Sequence, residues 1–143
     1  MKITVVGGGS TYTPELVEGF ARRAGVLPVD ELVLHDIDPE RLRVVGGLAG
    51  RILDRHAFPG RLTTTTDLAQ ALDGAAAVLI QLRAGGQAAR LRDETLPNKF
   101  GLIGQETTGP GGFAKALRTV PLVLDIAAEV RGDLLPRFQS RIV

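Results

Sequence analysis

The sequence predicts an α/β fold, a Rossmann-like doubly wound parallel sheet in a three-layer αβα arrangement, present as an incomplete domain. Three observations carry this expectation. Short apolar runs alternate with helix-length amphipathic stretches along the chain. The runs are nearly continuous in apolar residues, as in strands covered on both faces. The first of them leads directly into a glycine turn, Gly7-Gly8-Gly9-Ser10.

Taken in order, Lys2 to Val6 reads as a buried strand, and Thr13-Pro14-Glu15 opens a helix with proline at a favourable first position. Leu32 to His35 is a second strand, followed by Asp38-Pro39-Glu40 at the start of a helix whose Leu42, Val45, Ala49 and Ile52 share one face. Leu62 to Thr66 is a third, β-branched strand; Asp67 caps a brief helix through Leu72, and Ala77 to Gln81 supplies a fourth strand. A charged amphipathic helix is expected from Gln87 to Thr95, then a glycine-rich loop from Gly101 to Gly112. The next helix carries Phe113, Leu117, Val120, Leu124 and Ala127 on one apolar stripe, and Pro121 is expected to kink or restart it. A weak pattern suggests a last strand over Phe138 to Val143. In such a fold the ligand sits beyond the carboxyl ends of the strands.

Composition narrows the function classes. The chain has 143 residues, enough for one compact domain, and 44% of them are hydrophobic, enough to fill its core. With 17 basic against 16 acidic residues there is no electrostatic footprint for nucleic acid or an anionic membrane, so neither is expected as a partner. Cysteine is absent, which excludes disulfides and cysteine-ligated metals within these residues. The start, Met1-Lys2-Ile3-Thr4-Val5-Val6, lacks the features of a signal peptide, and no apolar run is long enough to span a bilayer; a cytoplasmic protein is expected. No carboxylate or cysteine cluster with metal-ligand spacing surrounds His35 or His56, and neither is assigned a role.

A glycine turn between strand and helix lets a pyrophosphate approach backbone N–H groups and a helix N-terminus, because no side chain blocks it. The third glycine of the usual dinucleotide fingerprint is replaced by Tyr12, and a glycine turn can also be a tight connection only. Asp36 ends the second strand, where a carboxylate accepts hydrogen bonds from both ribose hydroxyls and repels a 2′-phosphate, favouring NAD over NADP. The alternative is that Asp36 and Asp38 serve the turn and cap the next helix.

Three stretches narrow the function further: Gly7-Gly8-Gly9-Ser10-Thr11-Tyr12-Thr13-Pro14, Gln81-Leu82-Arg83-Ala84-Gly85-Gly86-Gln87-Ala88-Ala89-Arg90, and Gly101-Leu102-Ile103-Gly104-Gln105-Glu106-Thr107-Thr108-Gly109-Pro110-Gly111-Gly112-Phe113. Together they resemble glycoside hydrolase family 4, of the 6-phospho-β-glucosidase kind, over residues 1 to 130, which would form the NAD-binding domain. The resemblance implies that Gly7, Gly8, Gly9, Ser10, Thr11 and Asp36 serve the dinucleotide. It implies that Arg90, with Arg83 at the same mouth, contacts a 6-phospho-glycoside substrate through its phosphate, and that Glu106 tunes the basicity of a catalytic tyrosine. An arginine on such a helix would by itself read as a solvated residue pairing with Asp93 or Glu94, so the motif alone gives Arg90 its role.

The resemblance further implies NAD as a bound catalyst in an oxidation, elimination, addition and reduction sequence, with a divalent metal, manganese, in the full-length enzyme. The family's metal ligands and tyrosine base lie farther along than these residues, and Arg131 to Val143 departs from the family's continuation as a divergent tail. This chain alone is therefore expected to be inactive. An uncovered fourth strand would make it a homo-oligomer. Two other readings share the glycine turn and ribose acid: a 2-hydroxy-acid dehydrogenase-type domain and a non-enzymatic NAD-binding module.

Overall fold

The apolar runs fold as parallel strands, seen here in a computed structural model that describes residues 1–139, with side chains as far as residue 132. Strands β1 (Lys2–Val6), β2 (Glu31–His35), β3 (Arg61–Thr65) and β4 (Ala77–Ile80) form one sheet in the order β3-β2-β1-β4. All three pairings are parallel, with Val6 opposite both His35 and Ile80. Because β2 and β4 lie on opposite sides of β1, the winding reverses at β1, and its carboxyl end is the place where such sheets hold ligands.

The described residues divide into two compact units, residues 1–82 with those from 130 to 139, and residues 83–129. In the first, Ile3, Val5, Leu32 and Leu34 point to one face of the sheet. There they pack with Val17 and Ala21 of α1 (Thr13–Arg22) and with Leu42, Ala49 and Leu53 of α2 (Pro39–Arg55). Each such fully buried aliphatic side chain contributes about 1.5–3 kcal/mol. Thr4 alternates to the other face, where its hydroxyl donates a 2.6 Å hydrogen bond to the Ala71 carbonyl of α3 (Leu68–Leu72). Helices on both faces make the three layers. Coverage on both faces holds for the central β1 and β2, whereas the edge strand β4 leaves Leu79 and Ile80 exposed.

Capping follows the sequence. The Asp38 carboxylate accepts from the N–H groups of Glu40 and Arg41 at the start of α2, and Asp67 accepts from Gln70 in α3, each worth about 1 kcal/mol.

The second unit holds α4 (Gly86–Thr95), a 3-10 turn over Pro97–Phe100 and the first part of α5 (Gly109–Gln139). Two expectations change here. The helix begins at Gly109 rather than after Gly112. It also runs through Pro121 without restarting: the missing N–H costs one hydrogen bond, the ring's fixed φ is one a helix uses, and the residue lies on the exposed side.

The apolar stripe faces outward, with Phe113, Leu117, Val120 and Leu124 between 53% and 67% exposed. At about 100° per residue, Lys115 and Arg118 lie roughly opposite that stripe, and their ion pairs to Glu106 and Asp93 set the rotation of the helix. The Phe138–Val143 strand expectation fails at its first two residues, which belong to α5; the remaining four lie outside the described residues. Among the described residues no helix is long and apolar enough to cross a membrane.

Candidate functional site

In the first unit, the glycine turn and Asp36 come together at the carboxyl ends of β1 and β2. The N–H groups of Gly7 and Gly8 both donate to the His35 carbonyl, at 2.9 and 2.7 Å. That of Gly9 donates to Asp36 Oδ2 at 2.8 Å. Gly7 has φ +92°, and a Cβ there would stand 2.8 Å from the Gln81 carbonyl carbon, so only glycine fits where β1 passes the end of β4. The three glycine amides thus hydrogen-bond within the turn. What remains at the start of α1 is the Thr11 N–H, free of hydrogen bonds among the described residues, and the hydroxyls of Ser10 and Thr11.

Asp36 serves the turn. Its Oδ1 accepts from the Asp38 N–H at 3.1 Å, and its Oδ2 ties Gly9, so it does organise the turn. Each carboxylate oxygen has a second lone pair, which leaves acceptor capacity for a ribose diol. Asp38 caps α2, as the alternative reading had it. His35 beside them is buried; burial pushes its imidazole below the ordinary value of 6.5 despite the neighbouring Asp36, and Nδ1 has no hydrogen-bond partner among the described residues. A neutral imidazole follows from that environment.

In the second unit, Arg83, Arg90 and Glu106 converge, although 23 residues separate the first from the last. Arg83 Nη1 donates to Glu106 Oε2, while Arg90 Nε lies 3.5 Å from Oε1. Arg90 also donates a 2.7 Å hydrogen bond to Glu94, one turn along α4, the pairing expected of a plain helix-surface arginine. It therefore serves two carboxylates at once. Glycine makes the approach of the loop possible, since an added Cβ at Gly104 would overlap the Glu94 carbonyl oxygen and one at Gly111 the carbonyl oxygens of Gln105 and Asp93. Glu106 is held against α4 with its side chain only 15% exposed. The Arg83 hydrogen bond, more than the opposing burial, keeps its carboxyl below the ordinary value of 4.5, so it is ionised at neutral pH.

Two members of this cluster escaped the sequence reading. Lys115 Nζ lies 3.5 Å from Glu106 Oε2. Arg118 grips the buried Asp93 through two bonds, 2.9 Å to Oδ1 and 2.5 Å to Oδ2, and holds that carboxyl below its ordinary value. Both sit opposite the apolar stripe of α5, where charge reads as a solvated face; their spacing of three residues on one side of a helix was the available signal. Among the described residues no group of three or more His, Cys, Asp or Glu side chains is placed to hold a metal ion.

Comparison with known proteins places this geometry in context. The model of the family described as "Family 4 glycosyl hydrolase" matches residues 2–137. The chain is 49% identical over 138 residues to a probable 6-phospho-beta-glucosidase of Bacillus subtilis, covering 95% of this chain and 31% of that protein. It is 44% identical over 138 residues to the 6-phospho-beta-glucosidase of Escherichia coli, covering 95% and 30%. Among solved structures, the 6-phospho-beta glucosidase from Thermotoga maritima with manganese, NAD+ and glucose-6-phosphate superposes with a TM-score of 0.87 at 40% identity. That match covers 93% of this chain and 33% of the other. The chain thus spans about a third of the length of the relatives it matches.

Proposed function

The chain belongs to the family 4 glycosyl hydrolases, and from that premise we propose that residues 1–130 are the NAD-binding domain of a 6-phospho-β-glucosidase. The observation that carries this reading is the convergence of Arg83, Arg90 and Glu106, which joins the two later motif stretches into one charged cluster. A second support is that the β-glucosidase relatives named above share 40–49% of their aligned residues with this chain.

The residues at the first turn fit NAD. Asp36 has acceptor capacity for the adenosine ribose, and the Thr11 N–H with the Ser10 and Thr11 hydroxyls faces the place of a diphosphate at the start of α1. The three glycines keep that approach open. When bound, NAD supplies a reversible two-electron oxidation of the sugar. Arg90 and Arg83 hold the 6-phosphate of the substrate with their unspent guanidinium N–H groups. Glu106, held ionised, raises the basicity of the tyrosine that removes the C2 proton. Tyr12 is the only tyrosine in these residues; it is exposed at the start of α1 and is not proposed as that base. No cluster among the described residues fits a manganese ion.

A cytoplasmic setting and a homo-oligomeric state belong to the same reading. The first is supported by the charge of a phosphorylated sugar, which keeps it from crossing membranes. The second is supported by the unpaired edge of β4 among the described residues. Calorimetric titration with NAD tests the core of the proposal: saturable binding that NADP does not reproduce is expected. Hydrolysis of p-nitrophenyl 6-phospho-β-glucoside by this chain with NAD and manganese is expected to be absent. No NAD binding would refute the reading.

A further inference from the structure

We propose that Lys115 is a third phosphate-binding cation, a specificity residue that selects a phosphate monoester dianion over an uncharged sugar. The inference rests on the proposed substrate reading and extends it to a residue outside the recognised motifs. Its basis is the charge balance around Glu106. Three cations, Arg83, Arg90 and Lys115, face two carboxylates, Glu106 and Glu94. Glu94 compensates Arg90 through a 2.7 Å bond, and Glu106 is hydrogen-bonded by Arg83. Lys115 has a long 3.5 Å ion pair to the oxygen that Arg83 already holds, and its other acidic neighbour, Asp93, is gripped by Arg118. It donates no hydrogen bond among the described residues.

An ammonium group carries three N–H donors and is strongly hydrated, so a position that uses none of them, one third exposed, is suited to accept an anion from solvent. Its helix position is held by Arg118, one turn on, through the two bonds to buried Asp93. The two guanidinium groups beside it also retain donors, because Arg83 commits Nη1 and Arg90 commits Nε. Three cations with unspent donors around a single uncompensated positive charge match a phosphate, whose three terminal oxygens each take more than one hydrogen bond. A neutral hydroxymethyl group would leave that charge unmatched.

The test is calorimetric titration of the chain, in the presence of saturating NAD, with glucose 6-phosphate and with glucose. The variants are Lys115→Met, Lys115→Arg, Arg90→Met and, as a control for net charge, Lys99→Met on the exposed turn after α4. Wild-type chain should bind glucose 6-phosphate and not glucose. Lys115→Met should weaken binding about tenfold, the usual scale of one charge-assisted hydrogen bond. Lys115→Arg should restore most of it, and Lys99→Met should match wild type. Unchanged affinity in Lys115→Met alongside a loss in Arg90→Met overturns this inference and leaves the substrate reading standing. Wild-type affinity in both Lys115→Met and Arg90→Met, or failure of the wild-type chain to favour glucose 6-phosphate, overturns both. A loss in Lys115→Met that comes with a lower melting temperature and no rescue by arginine marks a structural role and also overturns it.

Discussion

Asp36 Oδ2 accepts a 2.8 Å hydrogen bond from the Gly9 N–H, and a Cβ added to Gly9 would stand 2.8 Å from that same oxygen. The turn after β1 and the acid after β2 are therefore one structural unit, and each constrains how the other presents itself to a dinucleotide.

Gly9→Ala is expected to push the Asp36 carboxylate away and weaken NAD binding without touching any ligand atom itself. Asp36→Asn removes the charge that ribose hydroxyls donate to. Each should cost about 1.5–3 kcal/mol of binding, or roughly ten- to hundredfold in affinity. Titration calorimetry reads the loss; an unaltered dissociation constant in Asp36→Asn would remove the ribose assignment.

Gly7→Ala tests packing rather than binding. Its φ of +92° disfavours a side chain, and the added Cβ meets backbone atoms of Gln81 and Leu82 at 2.8–2.9 Å, neither of which can swing aside. Destabilisation of about 2 kcal/mol or more is expected, seen as a lower urea midpoint with an unchanged slope. Gly132→Ala, at an exposed helical glycine with open space around it, should instead leave stability unchanged or raise it slightly.

Acidification should unfold the chain in two stages. His35 titrates below its ordinary 6.5 in the folded protein because of burial, so the unfolded state takes up that proton first. Its contribution is complete above about pH 6.5 and falls as pH drops toward the lowered folded value, with a slope of at most about 1.4 kcal/mol per pH unit. Glu106, lowered from 4.5 chiefly by Arg83, adds a second loss that begins near pH 4.5 and continues as pH falls through its folded value. Urea midpoints measured from pH 8 to pH 2.5 should show the first stage vanish in His35→Gln and the second shrink in Arg83→Met.

Two apolar features predict association. β4 has an unpaired edge among the described residues with Leu79 and Ile80 each 37% exposed, and α5 shows the outward stripe of Phe113, Leu117, Val120 and Leu124. Sedimentation velocity should show dimers or larger species growing with concentration, and Leu117→Gln with Leu124→Gln should shift the boundary toward monomer. A strict monomer at high loading would refute the oligomer proposal.

The strands, the glycine turn and the capped helices were legible because their signals are local. A β-branched apolar run, Gly7 at the end of β1 and Asp38 before Pro39 each act within a few residues. The family motifs likewise marked Arg83, Arg90 and Glu106 as residues of interest, though their meeting spans 23 positions. Periodicity showed that α5 has an apolar side. It could not show which side turns inward, because Lys115 to Glu106 and Arg118 to Asp93 are pairings between separate segments.

By itself the sequence determined the alternation of elements, the parallel sheet and the residues that close the first turn, since backbone conformation and side-chain periodicity are set over short stretches. Only the tertiary structure decided that the glycine amides bond to His35 and Asp36, and that ion pairs rather than the apolar stripe orient α5. Hydrogen bonds and ion pairs between distant segments depend on which groups the folded chain brings within about 3 Å of one another, a quantity that no local pattern encodes.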